Sequence, residues 1–380
     1  MRYFILTLAM LTSLVACEQK PPPASGVSLH AELGGNASGF ERACSGRQFN
    51  FPEDHAAHPS FRNEWWYITG NLENTAGKRF GFHITFFRIA NEPLSTAGAD
   101  QPISNWSSSQ FYMAHFAVTA EDGEIKTYER FSRAAAGLAG AEADDTNVVK
   151  VWLDDWQLLA REEGNQLIWQ LNLAEQDLDL DLKLTADKPL VLQGDAGYSQ
   201  KSADTCNASY YYSFTRLQAS GNLSINNPDS TESLHTVSGT AWLDREWSSS
   251  ALGKDQSGWD WFALQLDDGR DIMLYQLRKN DGSRDAYSHA VEIDREGKAT
   301  EIPIENIDLD ITRWWRSDTG SNYPVAGVIH RKDTNKSIVF EPLVDDQLLD
   351  LTVRYWEGAI SLTDSNQNAI GRGYMELTGY

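Results

Sequence analysis

The sequence has few cysteines and few basic residues, and both shortages exclude classes of function. Its three cysteines include no Cys-x-x-Cys pair, which excludes thioredoxin-like redox chemistry, cysteine-rich zinc sites and c-type haem attachment. Only 32 lysines and arginines stand against 54 aspartates and glutamates, so the formal net charge is −22. Because nucleic-acid binding depends on clustered basic side chains, we expect no nucleic-acid partner.

Motifs of the common enzyme classes are also missing. The sequence contains no G-x-S-x-G nucleophile elbow, no P-loop and no dinucleotide-binding glycine fingerprint, so acyl, phosphoryl and hydride transfer have no motif support. His55 and His58 have the H-x-x-H spacing of some metal sites, but they stand in a proline-flanked loop where that spacing fixes no common face. We therefore expect surface histidines there, and we predict neither a metal site nor a cofactor.

The N-terminus has the layout of a secretory signal. Residues 3–16 follow Arg2 without a charge, and this segment is too short for a permanent membrane span. It ends on Leu14-Val15-Ala16-Cys17, which resembles the bacterial lipobox, so we predict a signal peptide over residues 1–16 and a lipid-anchored Cys17. Each buried methylene of an acyl chain adds about 0.8 kcal/mol of membrane affinity. The alternative is an ordinary secretory signal that happens to end near a cysteine.

The region after the predicted cleavage site indicates the compartment. Residues 17–49 are rich in proline, alanine, serine and glycine, which is typical of a flexible tether. Glu18 after the acylated cysteine favours sorting to the outer membrane of a bacterial cell envelope, facing the periplasm. Disulfides persist in that compartment, so Cys44 and Cys206 either pair or both stay free, and their separation in sequence does not decide between the two.

From about Phe49 onward the pattern is that of β-strands. Leucines occupy every second position from Leu178 to Leu184, which places them on one face of a strand and the charged residues on the other. Asp-Gly pairs such as Asp122-Gly123 and Asp268-Gly269 suit tight hairpin turns. The chain is therefore predicted to be all-β and antiparallel.

A weak internal repeat suggests that the fold is duplicated. When Trp65 is aligned with Trp259, a turn shortened by four residues brings Arg88 onto Arg278. Two consecutive β-barrels are the natural architecture for such a repeat, since closure removes exposed edge strands and a small barrel leaves room for one ligand. A chance similarity between aromatic-rich hairpins is the alternative.

Two groups of segments interleave aromatic rings with ionisable side chains. In the first, residues 64–72 and 81–88, even-numbered and odd-numbered positions occupy opposite faces of a strand, and the polar face is either a cavity wall or a solvated surface. In the second, residues 239–249 and 258–266, acids stand between tryptophans. A carboxyl group held against indole rings loses hydration, and this raises its pKa toward values useful for a general acid. The alternative is a structural ion-pair cluster at a domain junction.

These segments supply the candidate site residues. The candidate ligand-binding residues are Glu64, Trp66, Tyr67, His83, His115, Trp247, Trp259, Trp261 and Tyr275. The candidate catalytic residues are Asp244, Arg245, Glu246 and Asp260.

Several of the same segments resemble a known family. Glu64-Trp65-Trp66-Tyr67, residues 242–247, Trp259-Asp260-Trp261-Phe262 and Tyr355-Trp356-Glu357-Gly358 resemble, in this order, the AttH-type proteins, which are labelled secreted hydrolases and grouped with carotenoid 1,2-hydratase (hydroxyneurosporene synthase). The resemblance extends from about residue 50 to residue 380. It implies two lipocalin-like β-barrel domains, at residues 50–239 and 240–380.

The resemblance also implies a function. Together with the lipobox-like N-terminus, it points to a membrane-anchored protein that binds an apolar, isoprenoid or lipid-like ligand and acts as a hydratase or hydrolase. In the hydratases the position of Arg245 holds a histidine proposed to act in acid–base chemistry. Because arginine stays protonated, the acid role would move to Asp244, Glu246 or Asp260. The alternatives are a non-catalytic carrier or accessory protein of an ABC-type envelope permease, and a purely structural envelope lipoprotein.

Overall fold

The computed structural model describes residues 37–93, 108–164, 166–226, 233–250 and 252–380. The predicted signal peptide, Cys17 and the first part of the predicted tether lie outside these ranges. Within them the fold is all-β, with two antiparallel sheets that form lipocalin-like barrels, and this confirms the predicted fold class. The helical segments of the described residues are two short 3₁₀ turns, Glu53–His55 and Ile304–Asn306, and no helix there is long and apolar enough to cross a membrane.

The first sheet contains thirteen strands. They are β1 (Asn63–Asn74), β2 (Arg79–Ala90), β3 (Gln110–Ala120), β4 (Ile125–Arg133), β5 (Ala139–Ala143), β6 (Val149–Leu153), β7 (Trp156–Glu163), β8 (Gln166–Ala174), β9 (Leu178–Ala186), β10 (Val191–Leu192), β11 (Tyr198–Gln200), β12 (Ala208–Ile225) and β13 (Ser233–Ser248). The strand order is β4-β3-β2-β1-β13-β12-β9-β8-β7-β6-β5, and the two short strands β10 and β11 pair with β12.

The second sheet contains ten strands. They are β14 (Gln256–Leu266), β15 (Asp271–Lys279), β16 (His289–Ile293), β17 (Ala299–Glu301), β18 (Ile307–Arg316), β19 (Asn322–Arg331), β20 (Lys336–Pro342), β21 (Leu348–Asp350), β22 (Arg354–Thr363) and β23 (Ala369–Leu377). The strand order is β17-β16-β15-β14-β23-β22-β20-β19-β18, and β21 pairs with β22.

The chain passes from one sheet to the other after Ser248, later than the sequence suggests. β13 pairs with β1 and β12 up to its last residue, so a boundary between residues 239 and 240 falls inside this strand. Gly239 is not a turn residue. It stands where β1 approaches so closely that a side chain would collide with the carbonyl oxygen of Asn71. The acidic and aromatic residues 242–247 therefore belong to the first sheet.

The core of the first barrel follows the alternation predicted for β9. Leu178, Leu180, Leu182 and Leu184 are each at most 1% exposed, while the residues between them face outward. Burial of one such leucine side chain contributes about 1.5–3 kcal/mol. The same core contains the buried rings of β1 and β2 that share a face with Trp66.

A disulfide ties the segment before β1 to the loop before β12. Cys44 and Cys206 are bonded, with their Cα atoms 4.6 Å apart. The hydroxyl group of Tyr210 donates a hydrogen bond to the carbonyl oxygen of Cys44 at 2.8 Å. Of the two alternatives that the sequence leaves open for these cysteines, the structure contains the bonded pair.

The two sheets pack against each other through β1, β2 and β12 on one side and β14, β22 and β23 on the other. Hydrogen bonds cross this junction: the amide of Asn71 donates to the carbonyl oxygen of Gly373 at 2.9 Å, and the hydroxyl of Tyr67 donates to Glu357 at 3.0 Å. Side chains on the outer face of the first sheet are thus buried against the second.

Candidate functional site

A cavity lies at the junction of the two sheets. The space between its lining atoms is about 670 Å³, including the part that is open to solvent. Its walls combine aromatic rings with ionisable groups from both halves of the chain, namely Trp65, Tyr67, Thr85, Phe87, Lys201, Tyr211, Asp244, Glu246, Trp259, Trp261, Tyr275, Leu277, Tyr355, Glu357 and Glu376. A mostly apolar cleft with a few polar groups is the usual form of a small-molecule site.

The two halves supply matching positions to this cavity. Tyr67 on β1 lies opposite Asp244 on β13, and Trp261, which the sequence repeat aligns with Tyr67, lies opposite Glu376 on β23. Each half therefore places one carboxyl group beside one aromatic ring in the same register. The two acids line a single cavity because the two sheets pack face to face.

Asp244 is buried and held by three donors. The hydroxyl groups of Tyr211 and Ser213 donate to its carboxyl oxygens at 2.6 and 2.5 Å, and the indole N–H of Trp242 donates at 2.6 Å. Burial raises the pKa of Asp244 to about 7, although these hydrogen bonds favour the charged form. Asp244 is therefore protonated in part of the molecules at neutral pH.

Two further carboxyl groups in the cavity favour the protonated form. Burial, together with the charges of Glu246 and Asp244, raises the pKa of Glu376 to about 8, against the effect of a hydrogen bond from Trp259. Burial, together with the charge of Glu376, also raises the pKa of Glu357 well above its usual range. The Oε1 atom of Glu357 has no hydrogen-bond partner in the described part of the chain.

The fourth acid, Glu246, lies beside the single lysine of the cavity lining. The Nζ atom of Lys201 is 3.6 Å from Oε2 of Glu246 and 4.4 Å from the centre of the Tyr275 ring. Burial opposes the charge of Lys201, but Glu246 and Tyr275 together outweigh this effect and raise the pKa of the lysine. Glu246 is thus set apart from the other acids as the partner of a cation.

Arg245 faces away from the cavity, into the first barrel. Its guanidinium group forms an ion pair with Glu64, donates to the carbonyl oxygen of Ala56 at 2.6 Å and lies 3.9 Å from the centre of the Trp66 ring. Burial opposes the charge of Glu64, but Arg88 and Arg245 hold the pKa of this carboxyl well below its usual range. Of the predicted site residues, Glu64, Trp66 and Arg245 therefore belong to a buried ion network in the barrel.

His55 and His58, which the sequence analysis expects at the surface, lie next to this network. The ring of His58 stacks on Trp247 at 3.8 Å and lies 3.2 Å from Glu64, so Trp247 also faces the barrel and not the cavity. His55 is only 4% exposed, and its Nδ1 is 2.6 Å from the hydroxyl of Tyr212. The expectation of surface histidines is wrong, because the loop that carries them packs against the core of the first barrel, where the indole N–H of Trp66 donates to the carbonyl oxygen of His55 at 2.8 Å. Among the described residues no group of three or more His, Cys, Asp or Glu could hold a metal ion.

Asp260 also lies outside the cavity. It occupies the face of β14 opposite Trp259 and Trp261, where it forms an ion pair with Arg278 and accepts a hydrogen bond from the hydroxyl of Tyr380 at 2.7 Å. Burial raises the pKa of Asp260, although Arg278 favours its charged form. Alternation along the strand thus separates this acid from its aromatic neighbours.

His83 and His115 lie behind the cavity wall. His83 is within 3.5 Å of Glu357, and His115 is 2.7 Å from the hydroxyl of Tyr355. Of the predicted residues, the cavity itself is lined by Tyr67, Asp244, Glu246, Trp259, Trp261 and Tyr275.

Six polar residues of the cavity lining are not among the predicted site residues: Thr85, Lys201, Tyr211, Tyr355, Glu357 and Glu376. A signal existed for the two glutamates, since each follows an aromatic residue at a spacing of two in a β-rich segment, as Asp244 follows Trp242. Lys201 follows the short strand β11 and carries no comparable signal.

Comparisons with known proteins agree with this architecture. The profile of the AttH-like family matches residues 42–380. A crystal structure of an AttH protein from Nitrosomonas europaea shares 35% identity over 90% of this chain and all of its own, with a TM-score of 0.75. Among curated protein sequences, none matches the chain.

More distant solved structures share the fold. Kievitone hydratase from Nectria haematococca has 13% identity, 90% and 96% coverage of the two chains and a TM-score of 0.61. CghA, in a structure with Sch210972, has 13% identity, 84% and 89% coverage and a TM-score of 0.53.

Proposed function

The chain belongs to the AttH-like family, and from this membership and the acid-lined cavity we propose that it is a hydratase that adds water to a carbon–carbon double bond of an apolar or isoprenoid ligand. The observation that carries the proposal is the position of Asp244 and Glu376, two buried carboxyl groups, among the aromatic rings of the cavity. Burial raises the pKa of Asp244 to about 7 and that of Glu376 to about 8. Acids of this kind hold a proton at neutral pH and can donate it.

The cavity supplies what hydration of an alkene requires. Protonation of one carbon leaves a cation on the other, and the faces of Trp259, Trp261 and Tyr275 stabilise positive charge. Glu376 is the proposed proton donor, because a single hydrogen bond from Trp259 holds it, whereas three donors hold Asp244. Glu246, the partner of Lys201, is the proposed base that takes a proton from the attacking water.

The relatives support the reaction class. Kievitone hydratase shares the fold, and CghA has been crystallised with a small molecule, Sch210972. Neither identifies the ligand of this chain. The apolar cavity walls favour an isoprenoid or other lipid-like molecule over a charged substrate.

The test follows oxygen from water into product. The purified protein is incubated with linear isoprenoid alkenes, squalene and lycopene, in ¹⁸O-labelled water, and mass spectrometry is used to find products that carry one added labelled water. We expect Glu376→Gln to lower the rate by about 10²-fold to 10⁴-fold, which is the usual contribution of a general acid. Asp260→Asn is the matched control, since it changes a buried acid outside the cavity.

The outcomes separate an enzyme from a carrier. Labelled product that depends on Glu376 supports hydration. Saturable binding of these alkenes without product would refute hydration and favour the carrier. A rate that falls equally in Glu376→Gln and Asp260→Asn would remove Glu376 from the chemistry.

We also propose that the protein works at the surface of a bacterial envelope membrane, anchored through Cys17. The lipobox-like residues 14–17 and the tether after them support this location. The disulfide between Cys44 and Cys206 is a second support, because such bonds persist in oxidising compartments.

A further inference from the structure

A chain of buried polar groups connects the cavity to the protein surface. It starts at Glu129 on β4, whose side chain is 15% exposed and whose Oε1 lies 3.1 Å from Nε2 of His115. Nδ1 of His115 lies 2.7 Å from the hydroxyl of Tyr355, and that hydroxyl lies 3.3 Å from Nε2 of His83. Nδ1 of His83 faces Oε1 of Glu357 at 3.5 Å, at the cavity wall.

We propose that these five groups form a proton relay between Glu357 in the cavity and Glu129 at the surface. The inference rests on the proposed function in one respect, namely that the cavity acids gain and lose protons during the reaction. It goes beyond that function by assigning a route for the proton and a role to three residues outside the cavity lining, His83, His115 and Glu129.

The contact between His83 and Glu357 joins two atoms that have no other hydrogen-bond partner among the described residues. Nδ1 of His83 and Oε1 of Glu357 each lack a hydrogen-bond partner within the described residues, although both side chains are fully buried. Buried polar groups are normally paired, so two unpaired ones that face each other indicate a contact that tightens when the site is in use.

The interior members of the relay are neutral, as proton hopping requires. Burial lowers the pKa of both His83 and His115, so each ring has one N–H donor and one nitrogen acceptor. Burial also raises the pKa of Tyr355, whose hydroxyl can donate on one side and accept on the other. The end groups differ: His115 and Thr352 hold the pKa of Glu129 below its usual value against the effect of burial.

The groups around Glu357 come from three other strands. Tyr67 on β1 donates to its Oε2, His83 on β2 faces its Oε1, and Glu376 and Tyr374 lie on β23. None of these is a cation, so no fixed charge holds Glu357 in its ionised form.

The transfer balances without a charged intermediate. The O–H bond of Glu357 breaks as His83 gains a proton on Nδ1, and His83 releases the proton on Nε2 to the oxygen of Tyr355. Tyr355 passes its own proton to Nδ1 of His115, and His115 passes the proton on Nε2 to the carboxylate of Glu129. The reverse transfer restores every bond, so the relay moves one proton in either direction.

The experiment measures how fast Glu357 follows a change in pH. Equilibrium titrations of wild type and Glu357→Gln first locate the midpoint of Glu357, and purified protein is then mixed rapidly across that midpoint in each direction. Tryptophan fluorescence reports the protonation of the cavity acids through Trp259 and Trp261. The part of the signal that disappears in Glu357→Gln belongs to Glu357. The same measurement is repeated with palmitic acid, a saturated fatty acid that does not quench tryptophan fluorescence and that closes the cavity to direct entry of water where it binds.

We expect Tyr355→Phe, which removes only the hydroxyl, to slow the Glu357 phase at least tenfold and to leave its equilibrium midpoint unchanged. Glu129→Gln, at the partly exposed end, should slow it as well, and added imidazole should restore part of the rate. Tyr374→Phe is the matched control, because it makes the same change beside Glu357 but outside the relay.

Two results would overturn the relay. One is an equal rate in wild type, Tyr355→Phe and Glu129→Gln, with and without palmitic acid. The other is the absence of any Glu357 phase in the wild type. Neither result depends on turnover of a substrate. If the protein hydrates no alkene but shows the expected rates of proton transfer, the proposed function is refuted and the relay is still supported.

Discussion

The raised pKa of Glu376 predicts a specific loss of stability as the pH rises. Burial raises this pKa from an ordinary value of 4.5 to about 8, so between these values the folded protein holds a proton that the unfolded chain releases. Stability therefore falls with rising pH in this range, by about 1.4 kcal/mol per pH unit. Above about pH 8 both states are ionised and the loss is complete.

A narrower window isolates this effect from the buried histidines. Burial lowers the pKa of His83 and His115 from the ordinary value of 6.5, so their contribution to stability is lost as the pH falls below 6.5 and is constant above it. Between pH 6.5 and about pH 8, the raised pKa values of Asp244 and Glu357 also make stability fall with pH, and the share of Glu376 is a loss of about 2 kcal/mol in the free energy of unfolding.

Urea denaturation at several pH values in this window measures the effect. The wild type should lose about 2 kcal/mol more than Glu376→Gln, which cannot ionise. Glu162→Gln, a change at an exposed position on β7, is the control and should follow the wild type. Equal pH dependence in the wild type and Glu376→Gln would show that Glu376 is already ionised at neutral pH, and this would remove it as a proton donor.

The other predictions concern the ion network, the cavity rings and the anchor. Arg245→Met should lower the free energy of unfolding by about 3–5 kcal/mol in urea denaturation, because it removes a partner of the buried Glu64. Unchanged stability would refute the structural role of Arg245. Trp261→Ala should weaken the saturable quenching of tryptophan fluorescence by cis-parinaric acid, whereas Trp66→Ala should cost about 3–5 kcal/mol of stability and keep the affinity. Equal loss of affinity in both would contradict the assignment of faces. Cys17→Ser should move the protein from the membrane to the soluble envelope fraction on fractionation, and its retention in the membrane would rule out the anchor.

The sequence by itself determined the strands and the division of each strand into two faces. The period of two in β9 and the alternation in residues 64–69 follow from backbone geometry, because successive side chains of a strand point to opposite sides. The acids that stand between aromatic rings at residues 242–247 include Asp244 and Glu246, and both line the cavity. The family motifs pointed to the AttH-like fold, which the comparisons bear out.

The tertiary structure decided which face of each strand packs inside the barrel and which face lines the cavity. Trp66 and Tyr67 are neighbours in sequence, and both are buried, at 0% and 6% exposure, but Trp66 packs inside the first barrel and Tyr67 lines the cavity. Alternation alone cannot tell these two environments apart, because the packing of the second sheet buries the outer face as well. The same ambiguity placed Arg245 among the catalytic candidates.

The composition of the site likewise depends on contacts between distant parts of the chain. Asp244 and Glu376 are separated by more than a hundred residues, and they meet because β13 and β23 occupy corresponding places in two sheets that pack together. The raised pKa of each acid also comes from that packing, since burial between the sheets removes the water that would stabilise its charge. The sequence supplied the carboxyl groups and the rings. The packing of the two barrels placed them around one cavity and raised the pKa of Asp244 and Glu376.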